Sequence, residues 1–244
     1  MNIKFKVSEE LKKKYNDYYS VNNISNKRAI AAQQSVKHLM SISPERKVNT
    51  LLDIGCGDGA LIETLEKIGF SQIFSAIEIS DSGISETKKK QIASLRSIDK
   101  FDGYNIPAHD DKYDYGTAVH VIEHVEHERA FLKEITRVCK TVYLEVPLEL
   151  TMNVKKAIEV GAKFGHINFY NLATLRNLIE SSGCEIVGCR VFACSLDYEQ
   201  NESGVFSGTL KYLLRRGFLL IFPILAPKFM SYLAGFIIKK VEDE

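Results

Sequence analysis

An apolar run that ends in a carboxylate and leads straight into three alternating glycines is the feature that most constrains this chain. The run covers residues 50–54 and contains Asp53, and the glycines are Gly55, Gly57 and Gly59. Such a run predicts a buried strand, followed by a turn in which a ligand can meet backbone N–H groups because side chains are missing. The turn therefore predicts a ligand site at the end of a strand.

The residues after the turn complete a larger unit. Apolar residues over 61–68 have helical spacing, and a second apolar strand, 73–77, ends in Glu78. An acid about 20 residues after the glycines can accept hydrogen bonds from both ribose hydroxyls of an adenosine cofactor. The order strand, glycine turn, helix, strand, acid thus indicates a nucleoside-containing cofactor.

Two cofactors fit that order, NAD and S-adenosylmethionine. Gly55, Gly57 and Ala60 satisfy the dinucleotide fingerprint in its Gly/Ala form. Asp53 and Asp58 argue against NAD, because a pyrophosphate requires bare N–H donors at the helix start and two carboxylates would repel it. S-adenosylmethionine carries a sulfonium and an ammonium group, which suit acidic surroundings. The two acids therefore favour S-adenosylmethionine.

Taken together, this stretch resembles motif I of the class I S-adenosylmethionine-dependent methyltransferases. Residues 102–107, Asp-Gly-Tyr-Asn-Ile-Pro, resemble the loop whose Asp accepts from the adenine amino group in that family, and residues 120–125, His-Val-Ile-Glu-His-Val, resemble its Leu-Glu-His-Val segment. The resemblance covers about residues 48–194. The residues that it assigns to the cofactor are Asp53, Gly55, Cys56, Gly57, Gly59, Glu78, Ile79, Asp102, Gly103 and His120.

Strands alternating with helices along the chain predict an α/β fold with a doubly wound, mostly parallel sheet. The resemblance implies the Rossmann-like form with seven strands, of which strand 7 is antiparallel and pairs with strand 6. We expect one methyltransferase domain over 1–244. Its parts would be an N-terminal helical lid (1–45, helices over 8–19 and 25–40), a cofactor-binding core (48–200), a helical insertion (205–231) and a closing strand (233–240).

The individual strands of the core are expected over 48–54, 73–79, 114–120, 141–146 and 185–194, with a weak strand before Asp102. Pro147 is expected to stop the fifth strand. The core helices are expected over 59–68, 82–95, 127–138 and 172–180.

Composition bears on whether the protein binds nucleic acid and on where in the cell we expect it. The 244 residues include 32 basic and 31 acidic side chains, a balance that does not suggest a general nucleic-acid binder. The N-terminus lacks the apolar core of a signal peptide, and the five cysteines fit no common zinc spacing. We therefore expect a cytoplasmic protein.

Histidines are the candidate catalytic residues. Methyl transfer to a hydroxyl requires that the hydroxyl lose a proton, and histidine is the usual base near neutral pH. His124 follows strand 4 by one helical turn, and His166 lies in a Gly-His loop before a helix, where related enzymes place the substrate mouth. His166 is the favoured base. His124 has a competing interpretation as a buried hydrogen-bonding residue.

A metal site is the alternative interpretation of the same residues. Small-RNA 2′-O-methyltransferases and ubiquinone-pathway O-methyltransferases use a Glu-x-x-Glu-His element, which His120, Glu123 and His124 resemble except that His replaces the first Glu. With His166 they could hold a divalent cation. Because His replaces the first Glu of that element, the sequence predicts a site without a metal.

The C-terminal segment 217–238 is long enough to span a membrane and carries a single charge, Lys228. Pro223 and Pro227 instead favour a broken helical insertion over 205–231. Its apolar surface could cover the active site, form a homodimer or contact a membrane surface.

The leading hypothesis is a methyltransferase that acts on a hydroxyl of a small molecule, in glycan or surface-polysaccharide metabolism. The second is a nucleic-acid 2′-O-methyltransferase that uses a divalent metal. The third is a non-catalytic module that binds S-adenosylmethionine.

Overall fold

The fold is built on one seven-stranded sheet. The computed structural model describes residues 6, 8 and 25–241. The strands are β1 (Val48–Ile54), β2 (Ser71–Glu78), β3 (Leu95–Lys100), β4 (Tyr113–Val119), β5 (Cys139–Leu148), β6 (Cys184–Phe192) and β7 (Tyr232–Lys240). They lie in the order β3-β2-β1-β4-β5-β7-β6, and β7 is antiparallel to both of its neighbours.

Helices cover both faces of this sheet. They are α1 (Ser25–Ile42), α2 (Ala60–Lys67), α3 (Asp81–Lys89), α4 (Glu128–Val138), α5 (Val154–Phe164), α6 (Leu172–Glu180), α7 (Leu196–Ser203), α8 (Val205–Ile221) and α9 (Ala226–Phe229). One hydrophobic core packs α4 and α6 against the sheet, and a second packs α1 and α2 against its other face. This confirms the predicted Rossmann-like, doubly wound fold with an antiparallel strand 7.

One prediction about the strands needs correction. Pro147 does not stop β5, because the strand continues to Leu148 and Pro147 pairs with Leu233 of β7. Proline is tolerated there because β4 pairs with β5 only as far as Glu145, so β5 has a neighbour on one side only beyond that point. The closing strand pairs with β5 as well as with β6, which places it inside the sheet.

The helices differ more from the sequence predictions. The helix predicted over 82–95 ends at Lys89, and β3 takes the last residue of that range. Two helices, α5 and α7, were not predicted. The insertion before β7 consists of α8 and α9 with a connection that contains Pro223, as the prolines indicated. The predicted helix over 8–19 lies outside the described residues, apart from residue 8.

Across residues 25–241 and the two described residues before them, no helix is both long and apolar enough to cross a membrane.

Candidate functional site

A cleft of about 800 Å³ opens at the carboxyl ends of β1, β4 and β5. This is the edge at which doubly wound sheets bind their ligands. Helices α1, α5, α7 and α8 contribute side chains to its walls. The sequence-predicted residues that line it are Asp53, Gly55, Cys56, Gly57, His120, His124 and His166.

The glycine turn has the backbone conformation that its sequence predicts. Gly55, Gly57 and Gly59 have φ values of 72°, 55° and 75°, a left-handed region that other residues rarely adopt. Two of these glycines also allow close packing. A Cβ on Gly55 would lie 2.8 Å from Val121, and a Cβ on Gly59 would lie 2.8 Å from Thr87. Gly59 therefore allows α2 to pack closely against α3, and its contact with a cofactor stays a prediction.

The Glu78 carboxylate accepts hydrogen bonds that hold this turn in place. One carboxylate oxygen accepts a hydrogen bond from the Gly57 N–H at 2.9 Å, and the other accepts from the N–H groups of Ile79 and Ser80, each at 2.9 Å. The side chain is buried and does not line the cleft. The Glu78 carboxylate therefore fixes the shape of the turn, and its contact with a ribose stays a prediction.

Asp102 and Gly103 lie in the loop after β3. The Asp102 carboxylate accepts hydrogen bonds from the N–H groups of Tyr104 (3.0 Å) and Asn105 (2.7 Å), and Gly103 has a φ of 95°. These hydrogen bonds outweigh partial burial and lower the pKa of Asp102. Neither residue lines the cleft, so their contact with adenine also stays a prediction.

Asp53 is a buried acidic residue that lines the cleft. One oxygen of its carboxylate accepts a hydrogen bond from the Thr117 hydroxyl at 2.7 Å. The other oxygen is buried and has no hydrogen-bond partner among the residues that the structure describes. Burial raises the pKa of Asp53 to about 7. This unpaired oxygen is suited to accept from a cationic donor in the cleft.

His120 is held between two buried carboxylates. Its Nδ1 lies 3.3 Å from Glu123 and its Nε2 lies 3.6 Å from Glu145, in a residue with a positive φ of 57°. Burial lowers the pKa of His120, but its interactions with the two carboxylates outweigh burial and raise the pKa to about 10. His120 is thus a cation at neutral pH and does not serve as a base.

His124 and His166 face each other with their ring centroids 4.9 Å apart. Nδ1 of His124 donates to the Gly165 carbonyl at 3.1 Å, and Nδ1 of His166 donates to the Glu149 carboxylate at 2.6 Å. Burial lowers the pKa of His124, so it is neutral at physiological pH. Because Nδ1 carries the proton, Nε2 is the basic atom of neutral His124.

The loop that carries His166 is pinned to the 3₁₀ turn 122–124 that carries His124. The N–H groups of Ile167 and Asn168 donate to the Glu123 carbonyl at 2.9 and 3.0 Å, and the Asn168 side chain donates to the Val125 carbonyl at 2.7 Å. These bonds bring residues from two distant parts of the sequence to one wall of the cleft.

The structure brings together three of the four residues of the alternative metal site. One ligand atom each from Glu123, His124 and His166 lie within 4.8 Å of one another. Both carboxylate oxygens of Glu123 are buried without a hydrogen bond from any described residue, although His120 is close enough to balance the charge. His120, the fourth residue, instead pairs with the two carboxylates.

Sequence reasoning missed two residues of this site. Glu149 lies just beyond the end of β5 and orients His166, and an acid at the carboxyl end of a strand, as with Glu78 in β2, was an available signal. Gly161 lies in α5, where a Cβ would come within 3.2 Å of both Glu149 and His166. Because α5 was not predicted, nothing in the sequence connected Gly161 with the site.

Comparisons with known proteins identify the family. Residues 27–188 match the family described as methyltransferase domain. The chain belongs to this family. The domain is therefore a methyltransferase, and its cofactor is S-adenosylmethionine, as the sequence predicted.

One curated relative is the small RNA 2′-O-methyltransferase of Arabidopsis thaliana. It is 30% identical over 111 residues, a match that covers 41% of this chain but only 12% of that protein. The chain thus corresponds to a small part of this relative.

Two solved structures share the fold. A methyltransferase complex with the Haloferax volcanii activator Trm112 aligns with a TM-score of 0.68 and 14% identity, over 96% of this chain and 100% of that chain. The Haemonchus contortus phosphoethanolamine N-methyltransferase 2, solved with S-adenosylhomocysteine, aligns with a TM-score of 0.60 and 14% identity, over 93% of this chain and 60% of that chain.

The residues of the cleft fit S-adenosylmethionine in charge and in shape. Asp53 offers to a cation a buried oxygen that has no hydrogen bond from the described residues, and Gly55 and Gly57 let a ligand approach the backbone of the turn. The cleft volume of about 800 Å³ also leaves room for an acceptor beside the cofactor.

Proposed function

We propose that the chain transfers the methyl group of S-adenosylmethionine to a hydroxyl of an acceptor that binds in the cleft, with His166 as the general base. The observation that carries this proposal is the 2.6 Å hydrogen bond between His166 and Glu149 at the wall of the cleft. The cofactor supplies a methyl group already activated on a sulfonium. The protein therefore has to orient the acceptor and take its proton.

The Glu149 carboxylate gives His166 two properties that a base needs. It holds the ring in the tautomer whose Nε2 is basic, and it stabilises the imidazolium that forms when Nε2 takes a proton. Both side chains are largely buried, at 12% and 15% exposure, which strengthens their interaction relative to one in open water. His124 lies beside His166 but is tied to the Gly165 carbonyl, so its role is to position the loop.

The acceptor in this proposal is a small molecule, and a sugar or a surface-polysaccharide precursor remains the expected class. The walls of the cleft combine charged groups such as Lys156 and Glu202 with the apolar side chains Val160 and Phe164. A hydroxylated ring with one polar and one less polar face suits such walls.

The test is turnover of variants on a panel of nucleotide sugars, free sugars and catechols, measured as released S-adenosylhomocysteine. His166→Ala should reduce turnover by roughly 10²–10⁴-fold, and Glu149→Gln should also lower it and shift its pH profile. Cofactor affinity, measured by calorimetry, should stay nearly unchanged. The matched control is His109→Ala, because His109 is exposed and does not line the cleft.

Two results would contradict the proposal. Full turnover of His166→Ala would remove it as the base. Tight cofactor binding by the wild type with no turnover on any acceptor would favour the non-catalytic binding module.

A second candidate function is metal-assisted 2′-O-methylation of a nucleic acid. The observation that favours it is the convergence of Glu123, His124 and His166, in which the buried Glu123 carboxylate has no hydrogen bond from the described residues. A divalent cation held by these residues would lower the pKa of a bound hydroxyl. The sequence similarity to the small RNA 2′-O-methyltransferase supports this candidate, and the nearly neutral charge of the chain weighs against it.

Chelation distinguishes the two candidates. With His166 as the base, turnover should survive EDTA. If EDTA abolishes turnover and Mg²⁺, Mn²⁺ or Co²⁺ restores it, the metal-assisted reaction is supported. Glu123→Gln should then weaken metal binding by at least about tenfold in calorimetry, because it removes a charged ligand.

A further inference from the structure

Helices α8 and α9 and the segment between them carry an exposed apolar surface, which we call the apolar–basic face. On α8, the exposed residues at positions 206, 210, 213, 214, 220 and 221 are spaced by three, four and seven residues, so they lie along one side of the helix. Phe206 is 85% exposed and Ile224, after α8, is 80% exposed. The large apolar residues of the face are Phe206, Leu210, Leu213, Leu214, Leu220, Ile221, Ile224 and Phe229.

Basic residues border this surface. At about 100° per residue, Lys211 and Arg216 lie on opposite flanks of the apolar side of α8, and Lys228 is exposed on α9. No aspartate or glutamate occurs between Glu202 and Glu242. An exposed apolar strip with cations on both sides is the pattern of helices that lie in the plane of a membrane surface.

We propose that the apolar–basic face binds the surface of an anionic lipid bilayer. The apolar side chains would enter the boundary between headgroups and acyl chains, and Arg216 and Lys228 would contact anionic headgroups. Eight exposed large apolar side chains grouped on one face are unusual on a monomer that stays in water. The basic residues along the face favour an anionic bilayer as its partner, because their charge complements a negatively charged surface.

The same charges disfavour a second copy of the chain as the occupant. A symmetric dimer through this face would bring the basic residues of one copy against those of the other, and the segment 203–241 offers no acid to neutralise them.

The face adjoins the cleft. Lys211 borders the face and also lines the cleft. Arg215, on the same helix, lines the cleft too. Met152, which is exposed just before α5, donates its N–H to the Lys228 carbonyl at 2.7 Å, so the apolar surface continues toward the α5 wall. A bilayer bound at the face would therefore lie beside the mouth of the cleft.

The test uses a single introduced tryptophan, because the chain contains none. Leu220→Trp should shift its fluorescence to the blue on addition of vesicles of phosphatidylcholine and phosphatidylglycerol at about 3:1, and much less with phosphatidylcholine alone. The control is Ile68→Trp, since Ile68 is half exposed at the end of α2 and lies outside the face. Its spectrum should not change.

Cosedimentation with the same vesicles measures affinity. Arg216→Gln combined with Lys228→Gln should weaken binding by at least about tenfold, because each basic residue near an anionic surface contributes about fivefold. Leu213→Glu combined with Leu220→Glu should abolish it. Neither pair of residues lines the cleft, so the affinity for S-adenosylhomocysteine should be unchanged. Loss of vesicle binding with normal cofactor affinity therefore tests the apolar–basic face separately from the methyltransferase site.

Three results would overturn the proposal. One is wild-type protein that stays in the supernatant with anionic vesicles. Another is binding that the charge variants do not weaken. The last is a stable dimer in light scattering that the Leu213→Glu, Leu220→Glu variant separates.

Discussion

At the scale of single residues, Asp53 determines how the cleft responds to a cationic ligand. Its carboxylate is buried, and one oxygen lacks a hydrogen bond from the described residues, so the ionised form is poorly stabilised without a ligand. Burial, with a smaller contribution from the charge of Glu78, raises the pKa of Asp53 to about 7. The cofactor-free protein therefore holds Asp53 largely protonated at mildly acidic pH.

This gives a prediction for the pH dependence of cofactor binding. A cation favours ionised Asp53, so binding below pH 7 should release a proton. The affinity should rise by up to about tenfold per pH unit as the pH approaches 7, and this contribution should level off above it. Calorimetry in buffers of different ionisation enthalpy measures the released proton.

Asp53→Asn provides the control, because it keeps the shape and removes the titration. Any proton release that remains in this variant comes from the ligand or from other titratable groups of the cleft. If wild type and Asp53→Asn show the same pH dependence, Asp53 is not the acceptor of the cationic group.

Folding stability depends on pH in the opposite direction to cofactor affinity: affinity rises with pH, whereas the stability of the cofactor-free protein falls. The folded-state pKa of Asp53 lies above its unfolded value of about 3.9. Ionisation therefore destabilises the cofactor-free fold progressively from about pH 4 to pH 7. Asp53→Asn should accordingly melt at a higher temperature than the wild type at about pH 8.

At the scale of elements, helix α5 packs closely against the candidate base and limits where its side chain can lie. Gly161 faces the Glu149–His166 pair, and a Cβ there would lie 2.6 Å from Phe169 and 3.2 Å from each member of the pair. Gly161→Ala should therefore displace the pair, lower turnover by about tenfold or more, and cost about 1–3 kcal/mol of stability from overpacking.

A second helical glycine provides the matched control. A Cβ on Gly217 in α8 would meet nothing within 4 Å. Gly217→Ala should leave turnover unchanged and raise stability by up to about 1 kcal/mol, since alanine favours helix. Kinetics and thermal melts of the two variants check both effects. Equal turnover in the two would show that the space at Gly161 does not matter.

The elements also show what sequence could and could not predict. Strands such as β1 and helices such as α6 were located closely, because long apolar periodicity and turn residues act locally. Helix α5 was missed. The end of β5 was misplaced because the effect of Pro147 depends on where its neighbour β4 stops, which is tertiary information. The pairing of Glu149 with His166 depends on the same long-range geometry.

At the scale of the whole molecule, a buried network joins the first helix to the centre of the sheet. Glu145 on β5 accepts hydrogen bonds from Ser35 (2.6 Å) and His38 (2.9 Å) of α1, and from the Tyr143 hydroxyl. Although burial opposes ionisation, His120 and His38 lower the pKa of Glu145 well below its usual range. Ser35 also lines the cleft, so a ligand bound there lies beside this network.

Ligand binding should therefore stabilise the whole fold, and the glycine turn should be required for it. At about 100 times its Kd, S-adenosylhomocysteine should add about 2.7 kcal/mol, which raises Tm by roughly 5–10 °C for a domain of this size. Gly57→Val should remove this shift. Gly57 has a φ of 55° and donates to Glu78, so a branched side chain would strain the turn and fill the edge of the cleft.

The strain alone will lower the Tm of Gly57→Val without ligand, so the diagnostic quantity is the ligand-induced shift and not the Tm itself. Circular dichroism at about 20 °C, below the expected Tm of an ordinary domain, checks that the variant is folded. A matched substitution is Gly69→Ala, where the backbone is also left-handed but a Cβ would meet nothing within 4 Å. Gly69→Ala should lose some stability and keep the full shift, because Gly69 does not line the cleft. If Gly57→Val keeps the full shift as well, the cofactor does not bind at the glycine turn.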